Sequence, residues 1–386
     1  MENFNEWFCL NNRLNFTIDA QINPTDAQYY FGRNDTKTRL EKQIRRSFID
    51  PGVPKMMVFG PYGSGKTQTL FYLRHYLEDQ IKTVNNARPR TIYVPVEMQE
   101  KSKAANLHKQ LMQALGKDMV SGWVRKLFDQ SPNLEMALSE LTPDTNVIAA
   151  LRELRAPGEA SFAAWRWLTC QGLGAKDLSA LQLTIDLAAS GSKNMAEALV
   201  TIGNMAKKVG EYLIFLVDEM ESLQYVRSGD TTESIHLYIR NLAEKKNSFV
   251  GFLISFKADV LDDAPESLRR NDVMSRVGNQ NYMDIPPLPA IADVKAFMRD
   301  LLLNLTLPNK VEGLIAKKGL DTKPGVFPFA PTAFELLADY TTQDITRALP
   351  RNIINAINEC AIQAWDEEKA LVDESIVNAV APYVFQ

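Results

Sequence analysis

The chain has 386 residues, 45% of them hydrophobic and 23% charged, with three cysteines and a net charge of −4. That length can bury a substantial core and favours two or three domains, and the composition holds no disordered or low-complexity block. Cys9, Cys170 and Cys360 stand too far apart for a metal-ligand spacing, no apolar run approaches the roughly 18 residues of a membrane span, and the slight acidity argues against a chain that grips DNA by overall basic charge alone.

The first residues carry Glu2 and Glu6 and no basic leader, so a reduced, cytoplasmic chain is expected. Residues 1–30 read as irregular, punctuated at residues 23–26. Tyr30-Phe31-Gly32-Arg33 then leads into a helical pattern over residues 36–49, ended by Asp50-Pro51-Gly52. A short apolar strand at 56–59 comes next. It runs into a glycine-rich loop and a helix with Leu70, Leu73 and Leu77 on one face.

Residues 91–96 form a second, β-branched strand. From 97 to 210 the pattern is almost wholly helical, with Leu107, Leu111 and Leu115 at helical spacing, and breaks at Pro132, Pro143 and Pro157-Gly158. Asn194 is expected to cap a helix carrying Leu199, Ile202 and Met205. Strands return at 212–217, 249–255 and 282–285. Apolar strands separated by long helical stretches describe a parallel sheet wrapped by helices. Beyond Ile291 only helices are expected, over 291–305, 331–340, 350–367 and 374–383, and no internal repeat is visible. The expected organisation is an irregular segment at 1–30, an α/β core over 31–290 with a helical insertion at about 100–208, and a helical lid over 291–386.

The strongest motif is Gly60-Pro61-Tyr62-Gly63-Ser64-Gly65-Lys66-Thr67, expected to bind nucleotide together with the Gln68 that follows it. It fits G-x-x-x-x-G-K-[ST] and lies between a buried strand and an amphipathic helix, where a phosphate loop belongs. Such a loop turns its backbone N–H groups inward around phosphates, which demands conformations that glycine tolerates. The helix that follows points its positive N-terminal end at the same anion. Lys66 is then expected to reach the β- and γ-phosphates of ATP, and the Thr67 hydroxyl to ligate Mg²⁺.

The strand at 212–217 ends directly in Asp218-Glu219. The carboxyl ends of parallel strands face the ligand crevice. Asp218 is therefore a candidate to hold Mg²⁺, and Glu219 to polarise the attacking water. The gap of about 150 residues between the two motifs exceeds one strand–helix unit, and the surplus is the helical insertion.

The remaining features make the chain resemble AAA+ ATPases of the origin-recognition-like group. Phe31-Gly32-Arg33 before a helix resembles the segment that packs on adenine in that family. Ser255 ends its strand where the family keeps a polar sensor beside the γ-phosphate. Met274-Ser275-Arg276-Val277 with the stretch 282–288 resembles the Ser-Arg box and last core strand. The resemblance implies that Arg276 reaches a neighbouring subunit's nucleotide, with Arg269 and Arg270 as competitors for that role. Ala348-Leu349-Pro350-Arg351-Asn352 resembles the start of the third lid helix, which implies that Arg351 senses the γ-phosphate within its own subunit, with Arg347 as the competitor. Arginine suits both posts because its guanidinium gives permanent, bidentate contacts to phosphate oxygens.

Trp165-Arg166-Trp167-Leu168 through Gly172, continuing into the stretch 212–221, is similar to ATP-binding proteins of bacterial phage-exclusion (BREX-type) defence systems, although Thr169-Cys170-Gln171 loosens the spacing. The two tryptophans read as packing residues before base-stacking ones. About twenty residues follow Trp365, too few for a winged-helix domain, which disfavours a replication initiator of the usual build.

The expected function is ATP hydrolysis that drives assembly or remodelling in a nucleic-acid-linked process, with anti-phage defence first. A transposition regulator forming an ATP-dependent filament on DNA, or a slow nucleotide-switched scaffold acting through protein contacts, stays open beside it. Expected partners are further copies of the chain in a ring or filament, other subunits of the same system and ATP-dependent DNA, with no membrane.

Overall fold

The computed structural model describes residues 3–11, 13–49, 52–131, 133–227, 229–244, 248–288, 290–344 and 346–385. The expected helix stop at Asp50-Pro51 and the break at Pro132 lie outside them. The chain runs through α1 (Phe4–Trp7), α2 (Asn34–Ser47), β1 (Lys55–Gly60), α3 (Lys66–His75) and β2 (Arg88–Pro95). Seven helices follow: α4 (Ala104–Leu115), α5 (Lys117–Gln130), α6 (Leu134–Ser139), α7 (Thr145–Glu153), α8 (Glu159–Leu168), α9 (Ala175–Ala180) and α10 (Ser192–Lys208). Then come β3 (Glu211–Asp218), α11 (Gly229–Ala243), β4 (Val250–Lys257), α12 (Glu266–Arg269), α13 (Asn271–Val277) and β5 (Tyr282–Asp284). The chain finishes with α14 (Ile291–Leu305), α15 (Pro308–Lys318), α16 (Pro331–Thr342), α17 (Pro350–Asp366) and α18 (Glu374–Val384). It forms two compact units: one of Met1–Arg39, Gly60–Tyr72 and Ile285–Gln386, the other of Leu40–Phe59 and Leu73–Asp284.

The second unit holds a parallel five-stranded sheet in the order β2-β3-β4-β1-β5, which makes the protein α/β. Val94 pairs with Val217, Val217 with Ile254 and Met57 with Tyr282, so these strands run in one direction. Their composition explains the order. β3 (EYLIFLVD) is buried at every position and β4 at all but its last, as inner strands covered on both faces must be. β2 alternates buried and exposed positions, the pattern of an edge strand.

Of the seven helices between β2 and β3, α4 and α10 pack on this sheet, and the others extend its core outward. Leu107, Trp123, Trp167, Leu199 and Phe215 belong to one apolar cluster. Trp167 is fully buried and its Nε1–H donates to the Ile185 carbonyl at 2.9 Å, while Trp165 packs half-buried at the cluster's margin. His108 lies wholly inside, between the Tyr238 hydroxyl and the Leu168 carbonyl, each at 2.8 Å. A carbonyl only accepts, so Nε2 carries the proton and Nδ1 accepts from Tyr238. Burial pushes the His108 pKa down to about 4, which keeps the ring neutral. Asn194 is not the cap of α10. The helix starts two residues earlier, from Gly191 at φ +93°, and the Asn194 amide reaches back to the Ser190 carbonyl.

The first unit has its own core, built by α14, α16, α17 and α18 around Leu301, Phe334, Ile357 and Val377. The segment expected to be irregular contributes to it. Phe8 and Phe16 are fully buried there, and Asn23 caps a 3₁₀ turn at Pro24–Gln28. Helix α15 was not expected. Its apolar stripe is only Val311 fully buried, with Leu314 and Ile315 half-covered, a weak periodic signal. Among the described residues no helix is long and apolar enough to cross a membrane.

Candidate functional site

In the first unit, β1 ends at Gly60 and α3 begins at Lys66, so the loop spans the strand-to-helix turn. Its shape comes from its glycines. Gly63 and Gly65 sit at φ +80° and +89°, a region costly for any residue with a Cβ. A Cβ on Gly60 would stand 2.4 Å from the Ile285 carbonyl oxygen, so that position admits only glycine. The Lys66 ammonium rests on the Pro61 carbonyl at 2.9 Å, folded over the loop it belongs to. Ser64 is fully buried, and its hydroxyl has no hydrogen-bond partner among the described residues. Tyr62 is 65% exposed.

Three side chains that flank the loop take roles its spacing does not announce. Arg33, 9% exposed, donates from its two terminal nitrogens to the Ser64 and Pro286 carbonyls. The guanidinium thereby fastens the loop to the segment after β5, a bidentate geometry that a lysine lacks. Gln68 donates to the Asp26 and Tyr29 carbonyls at 2.6 and 2.8 Å, so its amide ties the N-terminal segment to α3. The Asp26 carboxylate is in turn a buried partner of Arg13. Arg351 lies at the start of α17, where its N–H donates to the Gly63 carbonyl at 3.4 Å and its guanidinium sits 4.2 Å over the Tyr62 ring. Arg347 instead bonds Gln343, four residues before it.

The second unit holds the acidic pair. Asp218 ends β3, 3% exposed, and its carboxylate is fixed by donors on both oxygens. Tyr93 on β2 donates to Oδ2 at 3.1 Å, the Glu219 N–H to Oδ1 at 3.0 Å, and the Ser255 hydroxyl on β4 also to Oδ1. Neighbouring strands thus aim one carboxylate, because parallel register sets Tyr93 and Ser255 on either side of β3. Glu219 turns outward in the left-handed region at φ +62°, a strained posture of the kind that clusters at functional sites. Partial burial and then the like charges of Asp218, Glu221 and Glu97 raise its pKa above the ordinary glutamate value. A carboxylate so raised is a stronger base. Among the described residues no group of three or more acidic, histidine or cysteine side chains could hold a metal. Mg²⁺ needs none, since it keeps several waters and takes one or two protein oxygens plus phosphate. The Asp218 carboxylate and the Thr67 hydroxyl are hard oxygen donors of that kind.

The three arginines proposed to act between subunits differ in their engagements. Arg276 donates to Glu244 at 3.2 Å and to the Asp272 carbonyl at 2.6 Å. Arg270 pairs with Glu233 at 2.6 Å. Arg269, exposed at the end of α12, makes no ion pair or side-chain hydrogen bond among the described residues.

No protein-family model matches the sequence, and no characterised protein matches it significantly. Solved structures with a related course of the chain include the Aeropyrum pernix ORC2 protein in ADPNP–ADP complexes, with 15% identity over 91% of this chain and 67% of that one, at a TM-score of 0.49. The Aeropyrum pernix ORC1 protein in complex with DNA has 13% identity over 95% and 69%, at 0.46. Cdc6p from Pyrobaculum aerophilum has 13% over 88% and 64%, at 0.40. The chain thus spans about two thirds of the length of these proteins, and likenesses this remote leave the architecture resting on its own strands and register.

Proposed function

We propose that this chain is an ATP-hydrolysing P-loop protein of the AAA+ kind, and the observation that carries the reading is the phosphate loop. Its two positive-φ glycines, the close approach at Gly60 and the helix start at Lys66 form a backbone cradle suited to a polyphosphate. In this reading Gly60, Pro61, Tyr62, Gly63, Ser64 and Gly65 embrace the β- and γ-phosphates, and Lys66 leaves the Pro61 carbonyl to neutralise them. On the sequence reading Thr67 and Asp218 would be the residues to hold Mg²⁺, which would supply screening of the phosphate charge. Glu219 accepts the proton of the attacking water as it adds to the γ-phosphorus, and the bond to the β-phosphate oxygen breaks to leave ADP and phosphate. Ser255 and Tyr93 serve the reaction by aiming Asp218. Gln68 contributes by tethering the N-terminal segment instead of touching nucleotide.

Arg351 is the residue best seated to read the γ-phosphate within its own chain, since it already adjoins Gly63 and Tyr62. For the contact to a neighbouring chain, Arg269 is favoured over Arg270 and Arg276 because no ion pair must break to release it. Hydrolysis would then depend on assembly. The work that hydrolysis drives is read as nucleic-acid-linked, with anti-phage defence first on the sequence resemblance and control of transposition second.

Phosphate release from ATP in Mg²⁺ buffer tests the reading. Wild type should hydrolyse ATP, and Lys66→Ala should lower the rate by about 10²-fold or more, since the charge it supplies stabilises the transition state. Equal rates in the two proteins would remove the phosphate loop from the chemistry.

A further inference from the structure

The helix pair α17 and α18 leaves a groove on its outer side, about 750 Å³ in volume. Val380, Tyr383 and Val384 of α18 form its apolar floor, and Glu359 and Gln363 of α17 line the opposite wall. Tyr383 is 77% exposed. The other flank of α17 is already covered, by Phe4 against Trp365 and by the Phe16 backbone on Asn358. The groove runs along α17 from Asn355 to Gln363, about 12 Å at 1.5 Å per residue, or roughly two helical turns.

Charge says what would fill it. Glu359 lines the groove and no basic side chain does, while Asp366, Glu367, Glu368, Asp373 and Glu374 lie outside the lining, from the end of α17 to the start of α18, against the two basic residues of the segment from Pro350 on. Of the two basic residues, Arg351 lies at the phosphate loop and Lys369 is held by Glu367 and Asp373. Nucleic acid and anionic lipid would be repelled. A second copy packed on the same face would set acid against acid, because a two-fold interface repeats one patch on both partners. The groove is also open and lined from two helices only, which suits a peptide's side chains better than an enclosed small molecule.

We propose that the α17/α18 groove docks a basic amphipathic helix of a partner protein, its apolar stripe on Val380 and Tyr383 and its lysines or arginines toward Glu359. This is the groove mode of helix recognition, with anchors at i, i+3 and i+4. The docked helix would brace the same α17 whose first turn carries Arg351.

The test uses the full chain and a labelled 18-residue helical peptide of leucine and lysine. A leucine–glutamate peptide and a lysine–serine peptide of equal charge but no apolar stripe serve as comparators. The leucine–lysine peptide should bind, and the comparators should not. Tyr383→Ala should weaken it roughly ten-fold, as removal of an interface anchor does, and Glu359→Lys should weaken it by a similar factor. Asp262→Lys, an exposed acid in the 3₁₀ turn Leu261–Asp263, should leave it unchanged. Both groove positions are exposed, and thermal melting establishes that the variants fold. Unchanged binding to Tyr383→Ala, or equal binding of the lysine–serine peptide, overturns the proposal. So does failure of the leucine–lysine peptide to bind. Self-association of the chain that Tyr383→Ala abolishes would assign the groove to a second copy, and that also overturns it.

Discussion

In the phosphate loop the chain's own backbone does the shaping. Gly63 and Gly65 occupy left-handed conformations, Gly60 presses on the Ile285 carbonyl, and Arg33 holds the loop through carbonyl oxygens. The arginine-bearing stretch over α12 and α13 is organised differently. There Arg270 and Arg276 are held by side-chain ion pairs with Glu233 and Glu244, and Arg269 extends into solvent. The first kind of region is rigid and intolerant, because a misplaced Cβ cannot be accommodated. The second is adjustable, because exposed ion pairs contribute about 0–1 kcal/mol and exchange partners at little cost. A cradle must be preformed to bind charge, whereas a group that serves a neighbouring molecule must be free to move.

That contrast can be broken most sharply at Arg269. Arg269→Ala should lower ATP hydrolysis by about 10³-fold under conditions where chains associate, the scale of a trans-acting arginine. Mixing it with Lys66→Ala should restore part of the rate, because each variant supplies what the other lacks. A full rate in Arg269→Ala alone would return the role to Arg270 or Arg276. In the loop, Gly60→Ala should cost about 1–3 kcal/mol of stability through overpacking, read by denaturant unfolding. No loss would mean the backbone there is less constrained than its 2.4 Å approach implies. Arg33→Lys comes next. A lysine cannot span the Ser64 and Pro286 carbonyls together, and losing a charged hydrogen bond worth about 1.5 kcal/mol should weaken nucleotide binding roughly ten-fold in titration. The smallest effect belongs to Arg276→Ala, expected to change hydrolysis within a few-fold if its bond to Glu244 is only a surface pair.

How much of this was legible follows from what kind of constraint each part carries. The loop announces itself because its backbone needs glycine at fixed spacing, and Asp218-Glu219 because two acids directly follow the apolar run at 212–217. All five strands were readable as apolar runs, and β2 extends three residues earlier because Arg88 and Arg90 alternate outward on an edge. The clamping role of Arg33, placed by resemblance only in an adenine-packing segment, and the site role of Tyr93 were not readable. Nothing local separates an arginine that clamps distant carbonyls, or a strand tyrosine that meets a carboxylate on the next strand, from ordinary examples. The ranking of Arg269, Arg270 and Arg276 depends on Glu233 and Glu244, some thirty residues away, and only folding supplies those partners. The helix α15 was lost for a simpler reason, since one fully buried residue makes almost no periodic signal.

The central claim is that a preformed cradle binds ATP while Glu219, strained outward and raised in pKa by partial burial and its acidic neighbours, performs the hydrolysis. Glu219→Gln separates the two. The account predicts ATP binding within a few-fold of wild type, with phosphate release lowered by about 10²–10⁴-fold. It also predicts that the wild-type rate falls with acidity at a pH above the ordinary glutamate range near about 4.3, because protonation of a raised carboxyl removes the base. Undiminished phosphate release in Glu219→Gln, at any pH, would contradict it.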